Sequence, residues 1–81
     1  MTEIEAVIAW VQSGKATKRK TFNTKITSYG LKHIAEKSMG IYIGMDSFIE
    51  AMDMLGFNKK QEYPESINYF FNIHVAKEKN D

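Results

Sequence analysis

The hydrophobic positions at the start of the chain predict an amphipathic helix. The apolar side chains recur every three or four residues and are Ile4, Val7, Ile8 and Val11. That spacing places them on one face of a helix. Thr2 and Glu5 have the spacing of a capping box, in which each side chain bonds the backbone N–H of the other residue. Gly14 suits the left-handed residue that follows a helix end, so we place this helix at residues 3–13.

In residues 20–26 the side chains follow a two-residue alternation instead of helical spacing. On one side of the alternation lie Lys20, Phe22, Thr24 and Ile26, and on the other lie Thr21, Asn23 and Lys25. Successive residues of a strand point to opposite faces, and β-branched and aromatic residues favour strands. We therefore predict a strand over residues 20–26, with Phe22 on its buried face.

A second helical pattern spans residues 29–39. Its apolar face comprises Leu31, Ile34, Ala35 and Met39. Thr27 or Ser28 is expected to supply the N-cap, because a short hydroxyl side chain accepts a bond from the free N–H groups at a helix start. Gly40 ends the helix, and the apolar segment 41–43 is interpreted as an extended connector or one rung of a sheet.

A third helical pattern follows. Its apolar face comprises Phe48, Ile49, Met52 and Leu55. Ser47 and Glu50 form a second capping box, and Asp46 is a rival N-cap. Gly56 ends the helix, and Phe57 is expected to fold back onto its last turn.

The last patterned segment, residues 67–75, allows two interpretations. As a strand it places Tyr69, Phe71, Ile73 and Val75 on one face, and as a helix that begins at Pro64 it aligns Ile67, Phe70, Phe71 and Val75. Its aromatic and β-branched content favours the strand. Pairing with residues 20–26 gives an α+β fold, with three helices packed on a small antiparallel sheet in a single domain, 1–81. The sheet residues Phe22, Tyr69, Phe71 and Ile73 are predicted to pack against Ile4, Ile8, Val11, Leu31, Ile34, Phe48 and Met52.

The composition excludes several kinds of site and several classes of protein. Of the 81 residues, 43% are hydrophobic, which is typical of a globular chain, and none is cysteine. The lack of cysteine excludes a disulfide scaffold, a zinc–thiolate site and a cysteine nucleophile. No apolar run approaches ~18 residues, so no membrane partner is expected. Glu3 and Glu5 stand where a secretory signal has basic residues, so a cytoplasmic location is expected.

Residues suited to catalysis are sparse. His33 and His74 lie far apart in the sequence. The chain has no nucleophile elbow and no glycine motif of the phosphate-binding or dinucleotide-binding kind. We therefore expect a protein that is not an enzyme and has no metal site and no cofactor.

The charges are distributed unevenly along the chain. The formal net charge is +1, yet residues 6–35 contain no acid. Their basic residues are Lys15, Lys18, Arg19, Lys20, Lys25 and Lys32. Clustered cations that release counterions together are what binding to nucleic-acid phosphates requires. We therefore predict a small nucleic-acid-binding accessory or regulatory protein with phosphate contacts through residues 15–32. The alternative is that these lysines only keep a strand edge soluble.

The order strand, helix, helix across residues 20–57 resembles the ribbon-helix-helix repressors. The matching positions are Thr21-Phe22-Asn23-Thr24-Lys25-Ile26, Leu31, Ile34-Ala35, Gly40, Ser47, Ile49 and Ala51-Met52. The resemblance implies that two chains pair their ribbons in the major groove of DNA, where Thr21, Asn23 and Lys25 read bases. The chain departs from that family between Gly40 and Ser47, where the family has a tighter turn.

A second resemblance covers residues 28–73. Four segments are similar to small proteins of bacterial mobile elements and phages. They are Ser28-Tyr29-Gly30-Leu31-Lys32-His33, Phe48-Ile49-Glu50-Ala51, Gly56-Phe57 and Phe71-Asn72-Ile73. This resemblance implies a bacterial or phage cytoplasmic setting and no particular activity.

An acidic helix face supports an alternative function. Asp46, Glu50 and Asp53 recur at helical spacing and would suit a basic protein surface. The alternative is therefore a protein-binding module, or a phage-encoded inhibitor that docks on a host protein complex. A homodimer is a further alternative, because so short a chain buries a smaller share of its surface than a larger domain does and gains little net stability from its own core.

Overall fold

Helices and strands follow one another along residues 1–76, the part of the chain that the computed structural model describes. The helices are α1 (Glu3–Trp10), α2 (Ser28–Met39) and α3 (Met45–Met54). The strands are β1 (Ala16–Asn23), β2 (Lys59–Gln61) and β3 (Tyr69–Val75). The order along the chain is α1, β1, α2, α3, β2, β3, and the α+β architecture predicted from the sequence is confirmed.

The strands form one antiparallel sheet in the order β1–β3–β2, so β3 lies in the centre. The core side chains of β3 are Phe71 and Ile73, which are fully buried among residues of all three helices. Phe48 of α3 has its ring centroid 6.3 Å from that of Trp10 and 6.0 Å from that of Phe71. Phe48 therefore joins α1, α3 and the central strand.

α1 starts with the capping box that the sequence predicts. Thr2 Oγ1 accepts the Glu5 N–H at 3.1 Å, and Glu5 Oε1 accepts the Thr2 N–H at 2.8 Å. After Trp10 the helix widens into one further turn, Val11–Lys15, in which Gly14 has a φ of 88°. Glycine adopts that conformation without strain, so Gly14 turns the chain from helix into strand as predicted.

The start of α2 has one of the expected N-cap residues but lacks the expected capping bond. Thr27 occupies the N-cap position, but its side chain makes no capping bond. The Ser28 hydroxyl instead accepts the Tyr69 N–H at 3.0 Å, which ties α2 to β3. Gly40 ends the helix as predicted, with a φ of 73°. The connector that follows contains no strand, and it buries Ile43.

α3 begins before the predicted caps, so the Ser47–Glu50 capping box and the rival cap Asp46 are wrong. Gly44 occupies the N-cap position without a side-chain cap. Its N–H donates to Glu3 Oε1 of α1 at 2.7 Å. A carboxylate from a distant part of the sequence therefore positions the chain ahead of α3, and a local pattern does not predict such a contact.

β3 confirms the strand interpretation of residues 67–75, and it pairs with β1 as expected. The predicted strand over residues 20–26, however, is displaced, because β1 ends at Asn23. The Asn23 amide donates to the Ile73 carbonyl at 3.2 Å, and its oxygen accepts the Lys25 N–H at 3.1 Å. This Asx-type turn takes the chain out of the sheet.

Phe22 lies outside the core, so its prediction as a core residue is wrong. It is partly buried and does not pack against the core cluster. Asn23, the next residue, pairs with the core residue Phe71, and successive strand residues point to opposite faces. Phe22 therefore points away from the helices. The other predicted core residues are buried or pack against the core.

Candidate nucleic-acid interface

β1 is an edge strand with an irregular middle. Lys18 pairs with Ile73 and Asn23 pairs with Phe71, so residues 19–22 of β1 all lie opposite Asn72 of β3. The extra residues form a bulge, which bends the strand and leaves its residues without regular ladder partners. The whole stretch 17–21 is exposed.

Asn72 anchors the bulge from inside the sheet. Its side chain is only 8% exposed, its amide donates to the Arg19 carbonyl at 3.1 Å, and its oxygen accepts the Asn58 N–H at 2.7 Å. The Arg19 guanidinium then folds along its own strand and donates to the carbonyls of Thr21 and Phe22 at 3.0 and 3.1 Å. A guanidinium has five N–H groups, so several remain for an external acceptor.

The other cations of residues 15–25 lie at the surface. The Lys15 ammonium donates to Ser38 Oγ at 3.0 Å at the end of α2. The Lys18 ammonium lies 5.7 Å from the centroid of the Phe57 ring, on the helical side of the sheet. Lys20 and Lys25 are exposed. The structure thus places these cations along the length of β1 and around its edge.

Lys32 departs from this arrangement, and the expectation that it joins the exposed cations is wrong. Lys32 is only 7% exposed. Its ammonium donates to Glu36 Oε2 at 2.9 Å and to the Ile43 carbonyl at 2.8 Å. The ammonium also lies 5.0 Å from the centroid of the Tyr42 ring. The pKa of Glu36 falls to about 2, because its carboxylate accepts the Ile43 N–H and the Lys32 ammonium. Lys32 therefore holds the α2–α3 connector.

The side chain of Asn23 is also used within the protein. The ribbon-helix-helix resemblance implies that Thr21, Asn23 and Lys25 read bases. The Asn23 amide and oxygen are both occupied by backbone partners of this chain. Thr21 and Lys25 are exposed.

The sheet contains basic residues and no acidic ones. The three strands contain Lys18, Arg19, Lys20, Lys59 and Lys60 and no acid. The acids of residues 1–76 lie in the helices and in the loop between β2 and β3. The ion pairs within residues 1–76 are Lys32–Glu36, His33–Glu36 and Lys59–Asp53. The cations of β1 therefore have no acidic partner within the described residues.

The acidic residues of α3 border a cavity of about 570 Å³. Asp46, Glu50 and Asp53 are exposed along one side, and Asp53 accepts the Lys59 ammonium at 2.6 Å. The rest of the cavity is lined largely by apolar side chains, with Met45, Ile49, Lys59, Ser66, Ile67 and Tyr69 as the other members. The structure thus brings the three predicted acids together beside an apolar surface.

The two histidines lie apart in the fold as well as in the sequence. His33 Nδ1 lies 2.9 Å from Glu36 Oε1 on α2, and His74 is exposed on β3. Within residues 1–76, no three potential metal ligands come together. No helix in that range has the length and apolarity needed to cross a bilayer.

Comparisons with known proteins give no relative from which a function could be transferred. No protein-family model, curated protein or solved structure matches the chain.

Proposed function

We propose that this protein is a small nucleic-acid-binding accessory or regulatory protein that acts in the cytoplasm without catalysis. Its phosphate contacts are made by Lys15, Lys18, Arg19, Lys20 and Lys25. The observation that carries this proposal is the absence of acids from the sheet, whose edge strand β1 carries exposed cations. An acid-free sheet with exposed cations along one edge attracts a polyanion, while the acidic helices α1 and α3 repel it.

The geometry of β1 suits phosphates. Because of its bulge, β1 runs alongside only residues 71–75 of β3, roughly 14 Å, so its cations lie close together and can meet neighbouring phosphates of one nucleic-acid strand. The bulge presents Arg19 and Lys20 outside the regular ladder. Arg19 is held by the Thr21 and Phe22 carbonyls, so little side-chain entropy is lost when it meets a phosphate.

Binding is expected to be sensitive to salt and to the loss of these cations. The triple variant Lys18→Gln/Arg19→Gln/Lys20→Gln should bind a labelled oligonucleotide roughly 100-fold more weakly at low salt. The slope of log affinity against log salt should become shallower by about 2, because each phosphate contact contributes ~0.7 on a single strand. Fluorescence anisotropy across a salt series measures both quantities.

Lys59→Gln is the control for this experiment. It removes a cation of the same sheet that is already paired with Asp53 on the helical side. Its affinity and salt slope should remain close to those of the unmodified protein. Failure of the unmodified protein to bind single-stranded and duplex oligonucleotides at low salt would contradict the proposal.

The acidic cavity supports a second candidate function, a protein-binding module that docks on a host complex. The supporting observation is the apolar surface beside Asp46, Glu50 and Asp53. A partner with an apolar ridge flanked by lysine or arginine would complement it. A second copy of this chain is less suited, because its exposed cations lie on an extended edge strand rather than on an apolar ridge.

Neutralisation of the acids tests this candidate. Asp46→Asn/Glu50→Gln should abolish co-purification of any bacterial protein that the unmodified chain retains at low salt. Glu62→Gln, at an exposed acid of the β2–β3 loop, should leave that retention unchanged. If the unmodified protein and both variants retain the same partner equally, the acidic residues of α3 do not contribute to its binding.

A further inference from the structure

The sheet has a face that no helix of the described residues covers. Phe71 and Ile73 of β3 point into the core, so their neighbours Phe70 and His74 point to the opposite face. Directly paired residues share a face, which adds Thr17 opposite His74 and Lys60 opposite Phe70. We call these residues, with Phe22 and Asn72, the open face.

Two phenylalanines lie on the open face without a role in the core. Phe22 and Phe70 are partly buried, and neither packs against the core cluster. Phe22 precedes Asn23, which pairs with Phe71, so Phe22 lies on the same face of the sheet as Phe70, at the end of the bulge. The two rings thus lie on the same face of the sheet, outside the core.

Cations surround these rings, and the strands contribute no acid. Arg19 and Lys20 lie in the bulge next to Phe22, and Lys60 pairs directly with Phe70. Aromatic rings on a sheet face with cations between them match the chemistry of a single nucleic-acid strand, whose bases stack on the rings while its phosphates meet the cations. A duplex offers its phosphates but keeps its bases stacked inside, so it cannot use the rings.

From this arrangement we infer that the open face binds single-stranded nucleic acid, with bases stacked on Phe22 and Phe70 and phosphates on Arg19, Lys20 and Lys60. This inference rests on the proposed nucleic-acid-binding function and specifies its ligand. Charge complementarity selects a polyanion over an ordinary protein surface, and the two rings, which are only partly buried, select unpaired bases over a duplex.

Three probes of equal length separate base stacking from phosphate contact. They are a thymidine oligonucleotide, an abasic oligonucleotide with the same phosphates, and a duplex. The thymidine strand should bind at least about tenfold more tightly than the abasic strand, because stacking strengthens binding by roughly that factor per base. Phe22→Leu and Phe70→Leu should each reduce thymidine binding about tenfold and leave abasic binding unchanged.

Control variants keep the test specific to the rings. Phe70→Tyr retains an aromatic surface and should weaken binding of the thymidine strand less than Phe70→Leu does. Tyr29→Leu removes an exposed ring on α2, outside the open face, and should also have no effect. The comparison of thymidine with abasic strands on the unmodified protein remains decisive even if a leucine variant fails to fold.

The possible outcomes distinguish this inference from the proposed function. If thymidine and abasic strands bind equally and binding still depends on Lys18, Arg19 and Lys20, the open face does not stack bases, while the phosphate-binding function stands. If the duplex binds more tightly than the thymidine strand, the inference is likewise overturned. If none of the three probes binds, both proposals fail.

Discussion

Phe48→Ala is expected to lower the free energy of unfolding by about 3–5 kcal/mol, the range for truncating a buried phenylalanine. The side chain is fully buried, and its ring lies within 6.3 Å of that of Trp10 and 6.0 Å of that of Phe71. Truncation therefore opens a cavity where α1, α3 and β3 meet. A core of this size rarely supplies more than ~3–5 kcal/mol, so most molecules should be unfolded without denaturant.

Urea denaturation followed by the fluorescence of Trp10 measures this effect, because Trp10 is buried against Phe48. Met54→Ala is the control on the same helix, since Met54 is 64% exposed. Its free energy of unfolding should change by no more than about 0.5 kcal/mol. Equal urea midpoints for the two variants would show that the aromatic cluster is not the centre of the core.

The helices could be predicted because their signals are local. The apolar stripe of each helix lies within a dozen residues, and the glycines that end α2 and α3 follow it directly. The capping box of Thr2 and Glu5 succeeded for the same reason. The Ser47–Glu50 box failed because Glu3, distant in sequence, holds Gly44 and thereby sets an earlier start for α3.

The open face was not predicted from the sequence, because contacts between distant segments decide which side chains of a strand face the core. Alternation alone places Phe22 on the same face as Ile26, and it does not indicate the turn at Asn23. The bulge depends on Asn72, which contacts the Arg19 carbonyl across 53 residues. An asparagine within an alternating run favours a turn, so Asn23 is the residue in the sequence that indicates the end of the strand.

Contacts between distant segments also limit how well the exposed cations could be predicted from the sequence. A run of lysines and arginines predicted the exposed cations of residues 15–25, because few such side chains are buried. Lys32 is the exception, since Glu36 lies one turn later on α2 and the Ile43 carbonyl meets the same ammonium. The Lys32–Glu36 spacing is visible in the sequence, but its burial depends on the connector that packs over it.

Acidification is expected to remove roughly 2–3 kcal/mol of stability through Glu36 alone. Its pKa is about 2 in the folded protein because the carboxylate accepts the Ile43 N–H and the Lys32 ammonium, against an ordinary value of 4.5. The unfolded state therefore binds a proton at a higher pH than the folded state. The stabilisation is present above pH 4.5 and is lost as the pH falls from 4.5 to 2.

Glu36→Gln should isolate this contribution. At neutral pH the variant leaves the largely buried Lys32 ammonium without its carboxylate, and it should be less stable by roughly 2–4 kcal/mol. Towards pH 2 the stabilities of the two proteins should approach each other, because Glu36 is then about half protonated in the folded protein. The pKa of Glu5 is also lowered, by the backbone N–H of Thr2, so the difference between the two urea series is the informative quantity.

The double variant Lys32→Met/Glu36→Gln separates the charge pair from the hydrogen bond to the connector. It removes the unpaired ammonium, so it should recover part of the stability that Glu36→Gln loses at neutral pH. Its glutamine can still accept the Ile43 N–H, which the carboxylate accepts at 2.9 Å in the unmodified protein. A double variant no more stable than Glu36→Gln would assign the loss to the connector. Curves that stay parallel down to pH 2 would instead show that Glu36 does not titrate with a lowered pKa.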